Sequence, residues 1–133
     1  MSDRDEIFDL TIRYATAIDT RQYSLLATVF TEDADIDYGV IGHWTSAAEV
    51  IEFMDAAHVG AEHTMHRMTN QAIDIAGDTA TVRTYVDALI LFAGGGANAV
   101  GYYDDHVVRT SQGWRIAHRT YTSVRIAEIR THG

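Results

Sequence analysis

The stretch of residues 64–92 reads TMHRMTNQAIDIAGDTATVRTYVDALILF, and it decides the fold. Polar and apolar residues alternate on both sides of Gly77-Asp78, which is the period expected of strands with one buried face. The Gly-Asp pair is typical of a tight hairpin turn. This stretch therefore predicts two long antiparallel strands, over residues 64–75 and 79–92.

The same alternation continues toward the C-terminus. Residues 99–110 and 114–126 predict two further strands, joined by the short connection Ser111-Gln112-Gly113. Gly94-Gly95-Gly96 predicts a flexible loop between the middle strands. The chain contains no proline, so no residue of that kind interrupts the sheet.

The part of the chain before these strands has the helical period instead. Apolar residues three or four positions apart predict helices over residues 3–17, 20–30 and 46–57. Ser46 and Glu49 form a capping box for the third helix, whose inner face includes Phe53. Residues 33–38 alternate and predict a short strand between the second and third helices. Helices followed by an antiparallel meander indicate an α+β fold, in which the N-terminal helices pack in the concave face of a strongly curved sheet and leave a pocket.

Length and charge narrow the function. A chain of 133 residues predicts a single domain, residues 1–133. Nineteen acidic residues against ten basic ones give a net charge of −9, which disfavours nucleic acid and anionic membrane surfaces as partners. The absence of cysteine excludes thiolate nucleophiles and disulfides. Neither a signal peptide nor an apolar run of the roughly 20 residues that a membrane span needs is visible, so we expect a cytoplasmic protein.

The order of elements and several short motifs resemble the SnoaL-like branch of the nuclear-transport-factor-two-like superfamily. The motifs that carry this resemblance are Arg13-Tyr14-Ala15, Ile18-Asp19-Thr20-Arg21, Val29-Phe30-Thr31-Glu32-Asp33-Ala34, His66-Arg67-Met68-Thr69-Asn70, Gly77-Asp78-Thr79-Ala80, Gly101-Tyr102-Tyr103-Asp104-Asp105 and Gly113-Trp114-Arg115-Ile116. The resemblance implies a cone-shaped α+β barrel. Because the superfamily holds dehydratases, isomerases, dehydrohalogenases and non-enzymatic binders, the fold alone does not assign the activity.

Similarity to the scytalone dehydratase and hexachlorocyclohexane dehydrochlorinase branch implies a catalytic pair. Asp19 stands at the end of the first helix and His66 early in the first long strand, where those enzymes have their catalytic aspartate and histidine. Tyr38 matches a pocket tyrosine of the dehydratase. Asp87 lies on the strand that carries the dehydratase's second catalytic histidine. This resemblance implies a lyase that needs no cofactor.

Similarity to ketosteroid isomerase implies a different use of the pocket. Tyr14 matches its oxyanion-binding tyrosine, and Asp105, followed by His106, matches its protonated aspartic acid. Tyr38 occupies the position of its general base, and the adjacent Asp37 would point to the opposite face of the strand. The isomerase reading therefore lacks a base at the usual place.

The chemistry of these residue types favours acid–base catalysis. A neutral histidine beside a carboxylate can remove a proton alpha to a carbonyl or beta to a leaving group, with His66 as base and Asp19 as its partner. Hydrogen-bond donors for the developing charge are predicted at Tyr14, Tyr38, Tyr103 and a protonated Asp105. We expect Phe53 and Asp87 to contact a substrate as well. The predicted substrate is an apolar cyclic or polyketide-like molecule.

Each candidate also has a structural interpretation. Asp19 could be only a helix-end residue, and His66 or Tyr14 could be core residues with satisfied polar groups. Tyr103 and Asp105 point the same way along their strand, so both would belong to an interface if that side is convex. Arg109 and Arg119 fit salt bridges better than substrate binding.

Metal binding and non-catalytic functions form the remaining alternatives. Asp33, Asp35 and Asp37 with His43 allow a metal site, but alternating acids on a short strand are more typical of a solvated face, and we predict no metal. The same pocket could belong to a non-catalytic module that binds a hydrophobic ligand, or the sheet to an oligomeric scaffold. A broad sheet face with apolar side chains predicts a homodimer or homotrimer in every case.

Overall fold

The computed structural model describes residues 1–130. Along the chain the elements are α1 (Asp3–Asp19), a 3₁₀ helix (Tyr23–Thr28), β1 (Phe30–Asp37), a second 3₁₀ helix (Gly39–Ile41), β2 (His43–Trp44), α2 (Ala47–Ala57), β3 (Ala61–Ala76), β4 (Thr79–Phe92), β5 (Gly95–Thr110) and β6 (Gly113–Arg130). No helix within these residues has both the length and the hydropathy required to cross a membrane.

The strands of residues 1–130 form one sheet in the order β2-β1-β6-β5-β4-β3. β3 to β6 are consecutive antiparallel neighbours, as the alternating pattern predicts. β1 lies parallel to β6, with Phe30 opposite Ile116 and Asp37 opposite Thr120. Register shifts interrupt the pairing of β3 with β4 and of β5 with β6, and such bulges bend a sheet. The α+β fold with a mainly antiparallel sheet is confirmed.

Helix α1 begins where its capping box predicts. The Asp5 backbone N–H donates to Ser2 Oγ over 3.1 Å, and the Ser2 backbone N–H donates to the Asp5 carboxylate over 3.4 Å. Both bonds satisfy N–H groups that a helix start otherwise leaves unpaired. The buried face of α1 includes Ile7, Leu10 and Ile18, and it packs against β3.

Two local predictions are wrong. The second predicted helix is a shorter 3₁₀ helix, and Phe30 belongs to β1 because the strand already pairs with Ile116 there. The glycine loop is also shorter than predicted, since Gly95 and Gly96 are part of β5 and only Gly94 has a left-handed φ, of 87°. A Cβ at Gly96 would collide with the Ile90 carbonyl oxygen, so this glycine permits close pairing of β4 and β5.

Candidate functional site

A cavity of about 270 Å³ lies between the helices and the inner face of the sheet. Sixteen residues line it, of which ten are apolar, four are tyrosines and two are histidines. The apolar lining residues are Ile18, Ile41, Phe53, Met54, Ala57, Val86, Ala88, Ile90, Phe92 and Ala99. The polar ones are Tyr14, Tyr38, Tyr103, Tyr121, His58 and His66. Such a mixture suits a largely apolar ligand that is oriented by a few hydrogen bonds.

The end of α1 positions Asp19 beside this cavity. Arg21 has a left-handed φ of 61°, and its N–H donates to the Ile18 carbonyl while the Gln22 N–H donates to the Ala17 carbonyl. This pair of bonds is a Schellman motif, which ends a helix in a defined geometry. Asp19 is therefore the last residue of the helix, and its carboxylate reaches across to β3.

The Asp19 carboxylate accepts three hydrogen bonds from β3. Its Oδ1 is 2.8 Å from His66 Nδ1 and 3.0 Å from Thr64 Oγ1, and its Oδ2 accepts from the His66 backbone N–H over 2.7 Å. Burial raises the pKa of the Asp19 carboxyl, but the bonds from His66 and Thr64 outweigh that effect and the net pKa is lowered. A carboxylate held ionised in this way keeps the hydrogen on Nδ1 of a neutral His66.

The second ring nitrogen of His66, Nε2, is the one that does not bond to Asp19. With the hydrogen on Nδ1, His66 Nε2 carries a lone pair. Among residues 1–130 this nitrogen has no hydrogen-bond partner. It is not one of the side-chain atoms that are fully buried without a partner, so part of its surface is accessible. Because His66 lines the cavity while its side chain is only 8% exposed, a ligand in the cavity can reach this nitrogen.

Tyrosine hydroxyls form the other polar surface of the cavity. The Tyr14 and Tyr38 oxygens lie 2.6 Å apart, and the Tyr14 ring meets the Tyr103 ring edge to face at 5.6 Å. Burial raises the pKa of Tyr14 and of Tyr103 well above the usual range for tyrosine, and it also raises the pKa of Tyr38 against the opposing charge of Arg119. All three hydroxyls are therefore protonated at neutral pH and can donate.

A buried ion pair lies behind the tyrosines. Arg119 Nε and Nη2 donate to the two oxygens of Asp105 over 2.8 and 2.9 Å, and both side chains are fully buried. The guanidinium carbon lies 4.0 Å from the Tyr103 ring centre and 4.5 Å from that of Tyr14. Arg119 Nη1 has no hydrogen-bond partner among residues 1–130. The predicted salt bridge of Arg119 is thus present, and its partner is Asp105.

This pair corrects the prediction for Asp105. A carboxylate that accepts two bonds from a guanidinium is ionised, so Asp105 is not the protonated donor that the isomerase pattern implies. Asp105 is not among the residues that line the cavity. Tyr103 and Asp105 face the interior, which removes the interface alternative for them.

Asp87 is likewise absent from the cavity lining. Val86 and Ala88 are buried on the inner side of β4, so the intervening Asp87 points to the outer side. There its carboxylate accepts from Arg67 Nη2 over 2.8 Å and from Asn98 Nδ2 over 2.7 Å. The prediction that Asp87 contacts a substrate is wrong for this reason. The other predicted contacts at Tyr14, Tyr38, Phe53 and Tyr103 do line the cavity.

Asp35 on the acidic strand β1 lies against two histidines. Asp35 accepts from His43 Nε2 over 2.7 Å and lies 3.1 Å from His118 Nε2, so the nitrogens already occupy its oxygens. Within the described part of the chain, no three His, Asp or Glu side chains are arranged to hold a metal ion. The site offers acid–base groups and a cavity.

Two polar lining residues escaped the sequence analysis. His58 follows the last residue of α2, where no periodic pattern points inward or outward. Tyr121 lies opposite Tyr103, but only because the register of β5 and β6 shifts between His106 and Val107. The alternation of β6 alone would place Tyr121 on the outer face. A single sequence carries no signal for a bulge, so the inward orientation of Tyr121 could not be predicted from it.

Comparisons with known proteins agree with this architecture. An uncharacterized protein of Mycobacterium tuberculosis is 34% identical over 126 residues, which cover 92% of this chain and 86% of that protein. A solved structure from Novosphingobium aromaticivorans, provisionally assigned as an aromatic ring hydroxylase, is 33% identical with a TM-score of 0.87 and covers 95% of this chain and 92% of its own.

A third comparison concerns the fold alone. The hexachlorocyclohexane dehydrochlorinase LinA-type3 from Novosphingobium barchaimii superposes with a TM-score of 0.79 at 18% identity, covering 94% of this chain and 88% of its own. The family model described as the SnoaL-like domain matches residues 1–120. The resemblance seen in the sequence is confirmed, and the chain belongs to the SnoaL-like domain family.

Proposed function

We propose that the protein is a small acid–base enzyme, a lyase of the dehydratase type or an isomerase, that acts on an uncharged, mostly apolar cyclic or polyketide-like molecule without a cofactor. One observation carries this proposal. His66 Nδ1 lies 2.8 Å from Asp19 Oδ1, while His66 itself lines an apolar cavity. A neutral imidazole oriented by a carboxylate in a low-dielectric cavity is a competent general base.

In the proposed step, His66 Nε2 removes a proton from a carbon alpha to a ligand carbonyl. The electron pair of the broken C–H bond forms the new C=C bond. In a dehydration the bond from the beta carbon to its oxygen breaks, the oxygen takes the bonding pair, and the proton held by the His66 imidazolium completes the departing water. In the isomerisation of a β,γ-unsaturated ketone, the π pair of the carbonyl moves to its oxygen to give a dienolate, and His66 returns the proton to the gamma carbon as the carbonyl forms again. Asp19 stabilises the imidazolium that His66 becomes in either reaction.

The tyrosine hydroxyls are the proposed partners of the developing negative charge. Tyr14 and Tyr38 are 2.6 Å apart and protonated, so either can donate to a ligand oxygen while still bonded to the other. Donors that are already oriented need no reorganisation when charge develops. The positive charge of Arg119 lies behind the Tyr14 ring and favours negative charge on that side of the cavity.

The test uses β-hydroxy ketones with one and two rings, 3-hydroxycyclohexanone and 3-hydroxy-1-tetralone. The rate of dehydration is monitored by the absorbance of the conjugated product. We expect this rate to fall about 10²–10⁴-fold in His66→Ala because the general base is lost. Asp19→Asn should fall as well, and circular dichroism should show that this variant is still folded at the assay temperature. His43→Ala is the matched control, since His43 bonds an aspartate over 2.7 Å outside the cavity. Turnover that survives in both His66→Ala and Asp19→Asn would contradict the assignment.

The apolar lining also supports a second candidate, a non-catalytic module that binds a hydrophobic ligand. Ten of the sixteen lining residues are apolar, which serves binding as well as catalysis. A tight ligand recovered unchanged after long incubation with the wild type, and bound equally by His66→Ala, would favour this candidate. Recovery of a chemically altered ligand would eliminate it.

Two features of context belong to the same proposal. We infer a homodimer or homotrimer, supported by exposed apolar side chains on the long strands such as Met65, Val124 and Ile126. We also infer a cytoplasmic location, supported by the acidic, cysteine-free composition. Sedimentation of a monomer at micromolar concentration would contradict the first inference, and recovery of the native protein outside the cytoplasm the second.

A further inference from the structure

A second histidine of the cavity has a fixed orientation. His58 follows α2 as its C-cap and is only 8% exposed. Its Nδ1 lies 2.7 Å from the Met54 carbonyl oxygen, and its ring stacks on Tyr23 with centres 5.7 Å apart and an angle of 23° between the planes. Packing and a hydrogen bond therefore hold the ring in one position, as a binding group requires.

The hydrogen bond to Met54 also determines the tautomer. A carbonyl oxygen only accepts, so His58 Nδ1 carries a hydrogen and donates it. In neutral His58 the other nitrogen, Nε2, then carries the lone pair. Nε2 makes no hydrogen bond with residues 1–130, and it is not among the side-chain atoms that are fully buried without a partner. Part of its surface is therefore accessible, and His58 lines the cavity, so a molecule in the cavity can approach this nitrogen.

Imidazole nitrogens with a lone pair are scarce in the cavity. Ten lining residues are apolar, the Tyr14 and Tyr38 hydroxyls bond to each other, and the remaining polar oxygens are the hydroxyls of Tyr103 and Tyr121. The two lone pairs on imidazole nitrogens belong to His66 on β3 and His58 at the end of α2. His66 is paired with Asp19, whereas no carboxylate bonds to His58 within the described residues.

We propose that His58 Nε2 accepts a hydrogen bond from a hydroxyl group of the ligand. The natural ligand is then an uncharged ring compound that carries at least one O–H group away from the carbon that His66 deprotonates. The assignment rests on the proposed function, because it uses the same cavity, and it narrows the substrate class. His58 is a ligand-binding residue in this proposal and takes no proton from carbon.

Two probes that differ by one hydrogen-bond donor test the assignment. 2-Naphthol carries a hydroxyl group, and 2-methoxynaphthalene replaces its hydrogen with a methyl group. Dissociation constants of both are measured by calorimetry at neutral pH for the wild type and for His58→Phe, His66→Phe and His43→Phe. Phenylalanine keeps the ring that stacks on Tyr23, and the Met54 carbonyl still accepts from the residue 58 backbone N–H. His43 is an exposed control outside the cavity.

We expect the wild type to bind 2-naphthol about fivefold to tenfold more tightly than its methyl ether, the value of one net hydrogen bond. That ratio should fall to about one in His58→Phe and remain unchanged in His66→Phe and His43→Phe. A ratio lost in His66→Phe but kept in His58→Phe would overturn the proposal and leave the cavity as the ligand site. A wild type without any preference would overturn it too. Failure of both probes to bind the wild type would remove the binding cavity itself, and the proposed function with it.

A second measurement does not depend on a substitution. The ¹⁵N chemical shift of a histidine ring nitrogen reports whether its lone pair accepts a hydrogen bond. On addition of 2-naphthol to ¹⁵N-histidine-labelled wild-type protein, His58 Nε2 should shift, and the methyl ether should leave it unchanged. Equal shifts with both probes would contradict the proposed bond even if His58→Phe failed to fold.

Discussion

The two sides of the sheet carry the same pairs of side chains in different surroundings. The inner Asp19–His66 pair and the outer Asp35–His43 pair have contacts of 2.8 and 2.7 Å. The inner histidine is 8% exposed, whereas the outer one is 52% exposed. Distance between partners therefore does not distinguish the proposed catalytic pair from the surface pair. Burial beside a cavity does, because it strengthens the pairing and brings a ligand to the free nitrogen.

Arginine–aspartate pairs repeat the comparison. Arg119 binds both oxygens of Asp105 over 2.8 and 2.9 Å with neither side chain exposed. Arg83 binds both oxygens of Asp104 over 2.8 and 2.9 Å with 43% of each side chain exposed. The two pairs have the same hydrogen-bond distances, but one is buried and the other is exposed to solvent. Ion pairs in water contribute little to stability, while a buried charge that loses its partner is costly.

The largest effect on stability is expected from Arg119→Met. This substitution leaves Asp105 buried without its counter-ion, which costs about 3–5 kcal/mol in the free energy of unfolding. Arg83→Met on the outer side should cost far less, because solvent screens that pair. Urea denaturation of both variants measures the difference. Equal losses would show that burial does not separate the two pairs.

A smaller effect on stability is expected from the protonation of Asp19 at low pH. The folded-state pKa of Asp19 is lowered, so its contribution to stability is present above the unfolded pKa and is lost as the pH falls through the folded pKa. We expect the wild type to lose this contribution below about pH 4, the usual range for aspartate, and the stability gap to Asp19→Asn to narrow there. Thr64→Val, which removes one of the bonds to Asp19, should shift this loss to higher pH. Denaturation curves that stay parallel across this pH range would contradict the expectation.

The smallest effect belongs to the outer pair. The hydrogen bond to Asp35 is the main cause that raises the pKa of His43. Its contribution to stability is therefore complete below the unfolded pKa and is lost as the pH rises through the folded one. A titration followed by NMR should show the His43 pKa above the usual histidine value, and Asp35→Asn should return it toward that value. An unchanged His43 pKa in Asp35→Asn would show that the hydrogen bond to Asp35 does not raise it.

Local patterns predicted most of the secondary structure. The hairpin of β3 and β4 and the start of α1 follow from residues that are neighbours in sequence, namely an alternating pattern around Gly77-Asp78 and a capping box at Ser2. The parallel pairing of β1 with β6 and the two-residue strand β2 were not predicted, since both depend on partners far along the chain or on very few residues.

The sequence also indicated only part of the candidate site. The family pattern in the sequence indicated Asp19, His66, Tyr14 and Tyr38, and the chemistry of the residue types added Tyr103. The errors at Asp87 and Asp105 have physical causes: one residue faces outward between buried neighbours on β4, and the other has its oxygens occupied by Arg119. His58 was missed because a helix-end position has no periodicity to indicate the side on which it lies.

The strand and helix periods, the main turns, the acidic charge and the family all follow from the amino-acid sequence alone. The tertiary structure decided which polar groups meet. Asp19 and His66 are 47 residues apart, and the Schellman motif at the end of α1 brings the carboxylate to β3. Arg119 faces inward because β6 gains one residue against β5 between Ile116 and His118. A one-residue bulge turns every later side chain of a strand to the other face, and only the pairing with a neighbouring strand reveals where it occurs.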